Sequence, residues 1–230
     1  MIERAIAALV PGRSFADLGG LWGLENERVS TALLAGAREA TMVDAIPRDH
    51  LLWAELAARC AARGVAAPRM VQADILDPGL PGAVGLFDVV HCSGVIYHCP
   101  DPYHALRQMM AVARRHLLLG SATVPARIEN AAGVLELGEG RVIAVPALRG
   151  AARAVLARHF AEAGIAVHNL TTTEAHPWTW PGGAFNTAPW WWLWTAETLA
   201  AMAETAGLRV REVFGAWEGR AHYLVCEVPA

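Results

Sequence analysis

Short apolar runs alternate with amphipathic stretches from about residue 14 to residue 124. The apolar runs have the length of buried strands, and the stretches between them carry apolar positions at helical spacing. The predicted strands include, in chain order, the segments SFADLGG, ATMVDAI, RMVQADI, FDVVHCSGV and HLLLGSATV. The predicted helices cover Glu25–Gly36, Arg48–Arg63 and Pro102–Val112. Such an alternation is typical of an α/β fold, with a parallel sheet and right-handed crossovers.

The alternation breaks near Pro125 and returns close to the end of the chain. The intervening sequence predicts a β-like run at Arg141–Val145, a helix at Ala151–Ala163, a second run at Ile165–Asn169 and a Trp-rich stretch, HPWTWPGGAFNTAPWWWLW. A helix at Ala196–Ala206 follows, and then the segments RVREVFGAW and HYLVCEV. Since only four residues separate these two segments, they predict an antiparallel hairpin. We therefore divide the chain into a core at 1–125, an insertion at 126–194, and a helix and hairpin at 195–230 that complete the core.

Composition and charge exclude several classes of function. Hydrophobic residues make up 54% of the chain and charged residues 18%, which indicates a large core and argues against long disordered tails. The net charge of −3 gives no positive field that would attract a polyanion, so we expect no nucleic-acid partner. All 19 basic residues are arginine. A Schiff-base lysine, a lysine general base and the lysine of a P-loop are therefore excluded.

The cysteines and the apolar runs indicate the compartment. The four cysteines are scattered without a CxxC pair, which is typical of reduced, buried thiols rather than of a metal or disulfide set; they are Cys60, Cys92, Cys99 and Cys226. The first residues, MIERAIAALVPG, are too short and too charged for a signal peptide. No apolar run is long enough to span a membrane. We expect a cytoplasmic protein with no membrane partner.

A glycine-rich turn and two later acids predict a cofactor site. Asp17 ends the first predicted strand and is followed by Gly19, Gly20 and Gly23, which let the backbone turn tightly and approach a ligand. Asp44 ends the second strand, 21 residues beyond Gly23, where a carboxylate can accept hydrogen bonds from ribose hydroxyls. Asp74 ends the third strand. A lone glycine-rich turn is often only a tight connection, but three acids at successive strand ends favour an adenosine-containing cofactor.

The chain resembles the class I S-adenosylmethionine (SAM)-dependent methyltransferases, in their small-molecule branch of the methyltransferase-11 and -25 type. The motifs DLGGLWG, VDAI, QADI, FDVVHCSGVIYHCPDPYHALRQM and RHLLLGSATV carry this resemblance in order over residues 13–124. It resumes at the last helix and hairpin. It implies a Rossmann-like three-layer sandwich with a seven-stranded, mostly parallel sheet, an antiparallel last strand and an inserted cap subdomain. It also implies SAM as the cofactor and S-adenosylhomocysteine (SAH) as the product.

The resemblance also assigns cofactor-binding residues. It places Asp17 and the turn with Gly19, Gly20, Trp22 and Gly23 near the methionine moiety, Asp44 and Ala45 at the ribose, Asp74 and Ile75 at the adenine, and Cys92 and Ser93 facing the methionine end. One departure stands out, because the family's middle glycine falls at Leu21 and a glycine occurs one place earlier. Trp22 then either packs on the cofactor or packs on the sheet edge. A nicotinamide dehydrogenase is the rival for this fold, but the chain has no YxxxK pair.

The loop after the fourth predicted strand supplies the candidate catalytic residues. Methyl transfer needs an aligned acceptor and, for a hydroxyl or ammonium, a group that removes a proton. His98 is the candidate base and Asp101 its orienting partner, because histidine titrates near neutral pH. Alternatively, Asp101 caps the next helix, with Pro102 in the first helical position. The spacing of His91, His98, Asp101 and His104 matches no defined metal site, so we predict none; His104 is expected on the exposed helix face.

The insertion is expected to cover the strand ends and bind the acceptor. Six of the nine tryptophans fall in it, and such rings can line an acceptor pocket, form the underside of a lid or form a dimer interface, so a homodimer stays open. The candidate substrate-binding residues are Tyr97, His176, Trp178, Trp191 and His222.

The leading hypothesis is an enzyme that methylates a hydroxyl or amine of a small molecule, such as a sugar-containing compound or a natural-product intermediate. The arrangement WWLW–helix–GL is also similar to that of wobble-uridine tRNA modifiers, but the missing basic surface argues against a tRNA substrate. A non-catalytic scaffold that keeps the fold is the third hypothesis.

Overall fold

The computed structural model describes residues 1–22, 27–171 and 189–229. Its strands are β1 Ser14–Leu18, β2 Glu39–Asp44, β3 Arg69–Gln72, β4 Phe87–Ser93, β5 Ala113–Ala122, β6 Arg127–Asn130, β7 Gly133–Glu136, β8 Val142–Ala144, β9 Trp192–Trp194, β10 Arg209–Ala216 and β11 Ala221–Glu227. Its helices are α1 Ile2–Leu9, α2 Val29–Leu34, α3 Leu51–Ala62, α4 Leu80–Val84, α5 Pro102–Val112, α6 Gly150–Ala161, α7 His168–Thr171 and α8 Ala196–Thr205.

Seven strands form one sheet in the order β10-β11-β5-β4-β1-β2-β3. The pairs β1–β2, β2–β3, β1–β4 and β4–β5 are parallel. Strand β11 runs antiparallel to both of its neighbours, β5 and β10. The predicted seven-stranded sheet with a reversed last strand is therefore confirmed. The strands β1 to β5 all end at one side of the sheet, which we call the carboxyl edge.

Helices cover both faces of the sheet, as the apolar runs predict. On one face, the helices α1 to α3 pack on alternate strand residues such as Phe15, Met42 and Leu118. On the other face, α4, α5 and α8 pack on Leu117, Leu119 and their neighbours. The four cysteines are buried free thiols, in agreement with the sequence. Within the described ranges, no helix has the length and hydropathy needed to cross a membrane.

The segment between β5 and α8 adds a small layer to this second face. The hairpin β6–β7 packs against α6, and β8 pairs antiparallel with β9. The apolar side chains of this segment join those of the sheet in one continuous cluster, to which Phe160 and Trp194 belong. The segment between β5 and α8 therefore packs against the sheet and shares its hydrophobic core.

Two predicted elements differ from the structure. The run at Ile165–Asn169 forms no strand, because the chain turns into the short helix α7 and the Asn169 side chain bonds both backbone groups of Trp190 in place of a strand partner. Helix α2 begins only at Val29, where Asp17 Oδ2 accepts a hydrogen bond from the preceding backbone N–H of Arg28.

Candidate functional site

The three acids predicted to bind the cofactor follow one another along the carboxyl edge. Asp17 lies next to the end of β1, Asp44 ends β2, and Asp74 follows β3 by two residues. Because β1, β2 and β3 are adjacent parallel strands, their ends are neighbours. The backbone N–H of Ala73 donates to the carbonyl of Asp44 at 2.9 Å, which continues the pairing past the end of β3. The structure thus brings the three positions together.

The Asp17 side chain packs between the sheet and the glycine-rich turn. Its side chain is fully buried. One oxygen lies 2.7 Å from His91 Nδ1, and the other accepts a hydrogen bond of 2.7 Å from the backbone N–H of Arg28. The turn lies so close that a Cβ on Gly20 would be 2.4 Å from Asp17 Oδ2. The resemblance places Asp17 near the methionine moiety, and in the structure its carboxylate faces the protein beneath the turn.

Asp44 combines burial with free acceptor capacity. Its side chain is 8% exposed, and its two oxygens accept the backbone N–H groups of Leu21 and Ile46, each at 3.1 Å. Burial raises the pKa of this carboxyl group, with a smaller contribution from the nearby charge of Asp17, while the backbone hydrogen bonds oppose the rise. A carboxylate has about four acceptor positions, so acceptor capacity remains for hydroxyl groups beyond these backbone donors. Ala45 is exposed at the edge beside it.

Asp74 forms the outer end of the site. Its side chain is exposed, and one oxygen accepts the backbone N–H of Leu76 at 2.8 Å. Ile75 is half-buried and packs against the core. A carboxylate beside an apolar side chain can accept from an amine while its neighbour contacts a ring face.

The unusual residues of the glycine-rich turn take opposite directions. Gly19 has a φ of +75°, and a Cβ there would lie 2.4 Å from a Val95 methyl carbon, so only glycine fits. Leu21 points into the core on the side of α1 to α3 and is fully buried. Trp22 is 73% exposed, so it does not pack on the sheet edge. Gly23 lies outside the described residues. The Leu21 side chain, in place of the middle glycine, therefore does not extend over the carboxyl edge.

The end of β4 approaches the turn. Cys92 is fully buried, and burial, with the charges of Cys99, Asp17 and Asp44, raises the pKa of its thiol. The resemblance implies that Cys92 faces the methionine end. The side chain instead belongs to the core on the sheet face opposite to Leu21, so it is not exposed there. Ser93 is half-buried and donates a hydrogen bond of 2.9 Å to the Tyr223 hydroxyl.

His98 is held as a neutral ring with one defined tautomer. It lies in a 3₁₀ turn, Ile96–His98, and its Nδ1–H donates to the Pro189 carbonyl at 3.0 Å, which leaves the lone pair on Nε2. The rings of Tyr97 and Trp190 lie 4.4 Å and 6.1 Å away, centroid to centroid. Burial lowers the pKa of His98 to about 4. The ring is therefore an acceptor through Nε2 at neutral pH.

Asp101 does not orient His98. Its carboxylate caps α5 by accepting the backbone N–H of His104 at 2.9 Å, as in the alternative reading of the sequence. The prediction that Asp101 orients His98 is wrong, because His98 Nδ1 binds the Pro189 carbonyl instead. The expectation for His104 is also wrong, because its ring is half-buried and Nε2 lies 3.0 Å from the Leu76 carbonyl.

The burial of His98 predicts a pH-dependent stability. The unfolded chain binds a proton at His98 near pH 6.5, whereas the folded protein does so only near pH 4, so stability is lost as the pH falls between these values. We expect the free energy of unfolding to decrease by about 2 kcal/mol more in the wild type than in His98→Asn between about pH 7 and pH 4.5. Asparagine keeps a donor for the Pro189 carbonyl. Urea unfolding at both pH values measures this, and parallel losses in the two proteins would contradict the assigned pKa.

The tryptophans at the end of the insertion divide into core and edge residues. Trp190 and Trp194 are buried, and Trp194 Nε1 donates to Ser121 Oγ at 3.1 Å. Trp191 and Trp192 are half-buried. The backbone N–H of Trp191 donates to the Tyr97 carbonyl at 2.8 Å, and Trp192 Nε1 donates to the Pro100 carbonyl at 3.1 Å. This segment thus fixes the loop that carries His98.

The other candidate substrate residues have different surroundings. Tyr97 is 4% exposed, packs 4.6 Å from the Trp190 ring, and has its hydroxyl pKa raised by burial. His222 is the second residue of β11, two strands away from β4, and its Nδ1 lies 2.7 Å from Thr123 Oγ1. Burial lowers its pKa, although the Glu197 charge opposes this. His176 and Trp178 lie outside the described residues.

Sequence reasoning missed one buried acid that supports the site. Glu27 is fully buried and accepts hydrogen bonds from the Ser30 backbone N–H at 3.0 Å and from Arg59 Nε at 3.1 Å. It therefore joins the start of α2 to α3, directly after the glycine-rich turn. Acids of this kind are usually solvated, so only the spacing of Glu27 and Ser30 at a helix start could have indicated it. Among the described residues, no group of three or more His, Cys, Asp or Glu side chains has the arrangement of a metal site.

Comparison with known proteins gives a domain match over part of the chain and a shared fold. Residues 26–117 match a family model described as a methyltransferase domain. A comparison with curated proteins gives no significant match. Among solved structures, a Bacillus halodurans protein assigned as a methyltransferase is 15% identical with a TM-score of 0.59, and the match covers 100% of this chain and 98% of the other. The chain has the class I methyltransferase fold.

Two further methyltransferase structures contain a ligand. Magnesium protoporphyrin IX methyltransferase of Synechocystis, with bound SAH, is 14% identical with a TM-score of 0.55; the match covers 98% of this chain and 81% of the other. A Burkholderia thailandensis enzyme, 1,6-didemethyltoxoflavin N1-methyltransferase with bound substrate and SAH, is 16% identical with a TM-score of 0.54, covering 98% and 76%. The methyltransferase domain match includes Asp44, Asp74 and His98 but begins after the glycine-rich turn. The predicted class I methyltransferase fold is thereby confirmed, together with a methyltransferase domain match over residues 26–117.

Proposed function

We propose that this protein is a SAM-dependent methyltransferase that acts on a hydroxyl or amine of a small molecule. The observation that carries the proposal is Asp44, a nearly buried carboxylate with remaining acceptor capacity at the carboxyl edge. It lies directly beside the glycine-rich turn, since its own oxygen bonds the Leu21 backbone. Ligands of open α/β sheets bind along this edge.

The donor groups of the edge fit an adenosyl ligand. Asp44 would accept both ribose hydroxyls. Asp74 would accept from the adenine amine, with Ile75 against the ring. Trp22 is exposed beside the turn and available to cover the ligand. Ser93 and the backbone of the turn would face the methionine end. When bound, SAM supplies an electrophilic methyl group on a sulfonium.

His98 would remove the proton from the acceptor. Its Nδ1–H is engaged by Pro189, so Nε2 is the atom that takes the proton. The ring is neutral at neutral pH because burial lowers its pKa to about 4. Trp190 and Tyr97 hold the ring in place and exclude water from one side.

The acceptor is proposed to be a small molecule covered by the insertion at 126–194. Half-buried Trp191 and Trp192 lie against the loop that carries His98, where aromatic rings would contact a planar acceptor or a sugar. Two enzymes of the same fold are named for a toxoflavin precursor and a porphyrin. The net charge of −3 gives no support for a nucleic-acid substrate.

Calorimetric titration with SAH tests the proposed cofactor. We expect saturable one-site binding with a Kd of about 1–100 μM, near −6 to −8 kcal/mol. NAD⁺ is the control, because the rival nicotinamide enzyme would bind it and this chain should not. Binding of NAD⁺ without binding of SAH at about 1 mM would contradict the proposal, since that limit corresponds to only about −4 kcal/mol.

A further inference from the structure

His91 is a buried residue that the proposed mechanism does not use. It lies on β4 directly opposite Asp17 of β1 and is 1% exposed. Its Nδ1 is 2.7 Å from Asp17 Oδ1, at the short end of the range for a hydrogen bond to a carboxylate. Since both side chains are excluded from solvent, water does not weaken this contact.

Aromatic rings fix the plane of the imidazole. The rings of Phe15 and Tyr223 are nearly parallel to it, with centroid distances of 6.5 Å and 6.1 Å and interplanar angles of 20° and 21°. Tyr223 is itself held by the hydrogen bond from Ser93. The ring therefore points its Nδ1 at Asp17 with little freedom to rotate.

The other ring nitrogen of His91, Nε2, makes no compensating contact of its own with the part of the chain that the structure describes. His91 Nε2 is buried and has no hydrogen-bond partner among residues 1–22, 27–171 and 189–229. Leaving a buried polar atom unpaired costs free energy, so a histidine at this position needs a compensating contact. The bond to Asp17 is the one that the structure provides.

Asp17, whose orientation His91 restricts, contacts the glycine-rich turn. Its other oxygen accepts the backbone N–H of Arg28 at 2.7 Å, and its carboxyl group lies against Gly20. A single carboxylate therefore lies against Gly20 and accepts the backbone N–H of Arg28, and His91 orients that carboxylate. We infer that His91 is a positioning residue that preorganises the glycine-rich turn for the cofactor, through Asp17 rather than by touching the ligand.

Three variants separate this role from general stability. His91→Asn places its amide Nδ2 where Nδ1 was and keeps a donor for Asp17. His91→Leu removes the donor. Val89→Ala is the matched control, because Val89 lies two residues earlier on β4, is fully buried in the same cluster and has no part in the turn. If His91→Leu does not fold, His91→Gln replaces it, since the extra methylene moves the donor away from Asp17.

Hydrogen exchange of the Arg28 amide in the ligand-free protein measures the effect directly. We expect exchange about tenfold faster or more in His91→Leu, and within about threefold of the wild type in His91→Asn and Val89→Ala, after correction for global unfolding. Equal exchange in His91→Leu and the wild type would overturn the inference.

Affinity for SAH gives a second readout, and this part rests on the proposed function. We expect the Kd to rise about tenfold in His91→Leu and to be restored in His91→Asn. If the wild type does not bind SAH, the proposed function fails while the exchange result still decides the role of His91. If the wild type and His91→Leu bind SAH equally, the inference fails and the function stands.

Discussion

Asp44→Ala is expected to weaken the binding of SAH by at least about a hundredfold, because two hydrogen bonds to a charged carboxylate are lost and each contributes about 1.5–3 kcal/mol. The structure leaves acceptor capacity on Asp44 after its bonds to the backbone of Leu21 and Ile46. Asp44→Asn keeps one carbonyl acceptor and the shape of the side chain, so we expect an intermediate loss of about tenfold. Calorimetry with SAH measures both.

The control for this pair is Glu39→Ala. Glu39 begins the same strand that Asp44 ends, so it lies at the opposite end of β2, and its exposed side chain pairs with Arg38. We expect its Kd for SAH to stay within about twofold of the wild type, since exposed ion pairs contribute little. An unchanged affinity in Asp44→Ala, with binding intact in the wild type, would remove Asp44 from the cofactor site.

Gly20→Ala should damage both stability and cofactor binding. The backbone of Gly20 lies outside the left-handed region, so the effect is steric: the new Cβ would lie 2.4–2.8 Å from the three carboxyl atoms of Asp17. Asp17 is buried and held by His91 and Arg28, so it has no space to move. We expect the free energy of unfolding to fall by about 1–3 kcal/mol and the Kd for SAH to rise about tenfold.

Gly82→Ala is the matched control for that substitution. Gly82 lies in α4 with open space around its Cα, so alanine there should be neutral or stabilise the protein by up to about 1 kcal/mol. Urea unfolding and SAH titration of both variants compare them. Equal unfolding free energies in Gly20→Ala and the wild type would show that the turn does not press on Asp17 as described.

The parallel strands and the closing antiparallel hairpin could be predicted because the sequence carries that information locally, whereas the seven-stranded sheet with a reversed last strand was implied by the family resemblance. Apolar runs, helical spacing and the short turn of the last hairpin fix the elements, and the right-handed crossover rule then arranges them. Asp44 and Asp74 were found for the same reason, since they end strands that the pattern identifies. Helix α7 was missed because Asn169 finds its partner in Trp190, 21 residues away in sequence.

The contacts within the site could not be predicted, because they join residues that only the folded chain brings together. Sequence reasoning identified Asp17 but assigned it to the ligand, because its burial beneath Gly20 arises only when β1 and β4 pair. The partner of His98 is a backbone carbonyl 91 residues away, which no side-chain pattern reveals. His91 looks like one more scattered histidine until Phe15 and Tyr223 enclose it.

The central claim is that the carboxyl edge of β1, β2 and β3 holds an adenosyl ligand. A crystal structure of the complex with SAH tests it most directly. The account predicts ribose hydroxyls within hydrogen-bonding distance of the Asp44 carboxylate and the adenine amine at Asp74, with Asp17 still bound to His91. SAH bound elsewhere on the protein, or an Asp44 carboxylate without contact to the ribose, would contradict it.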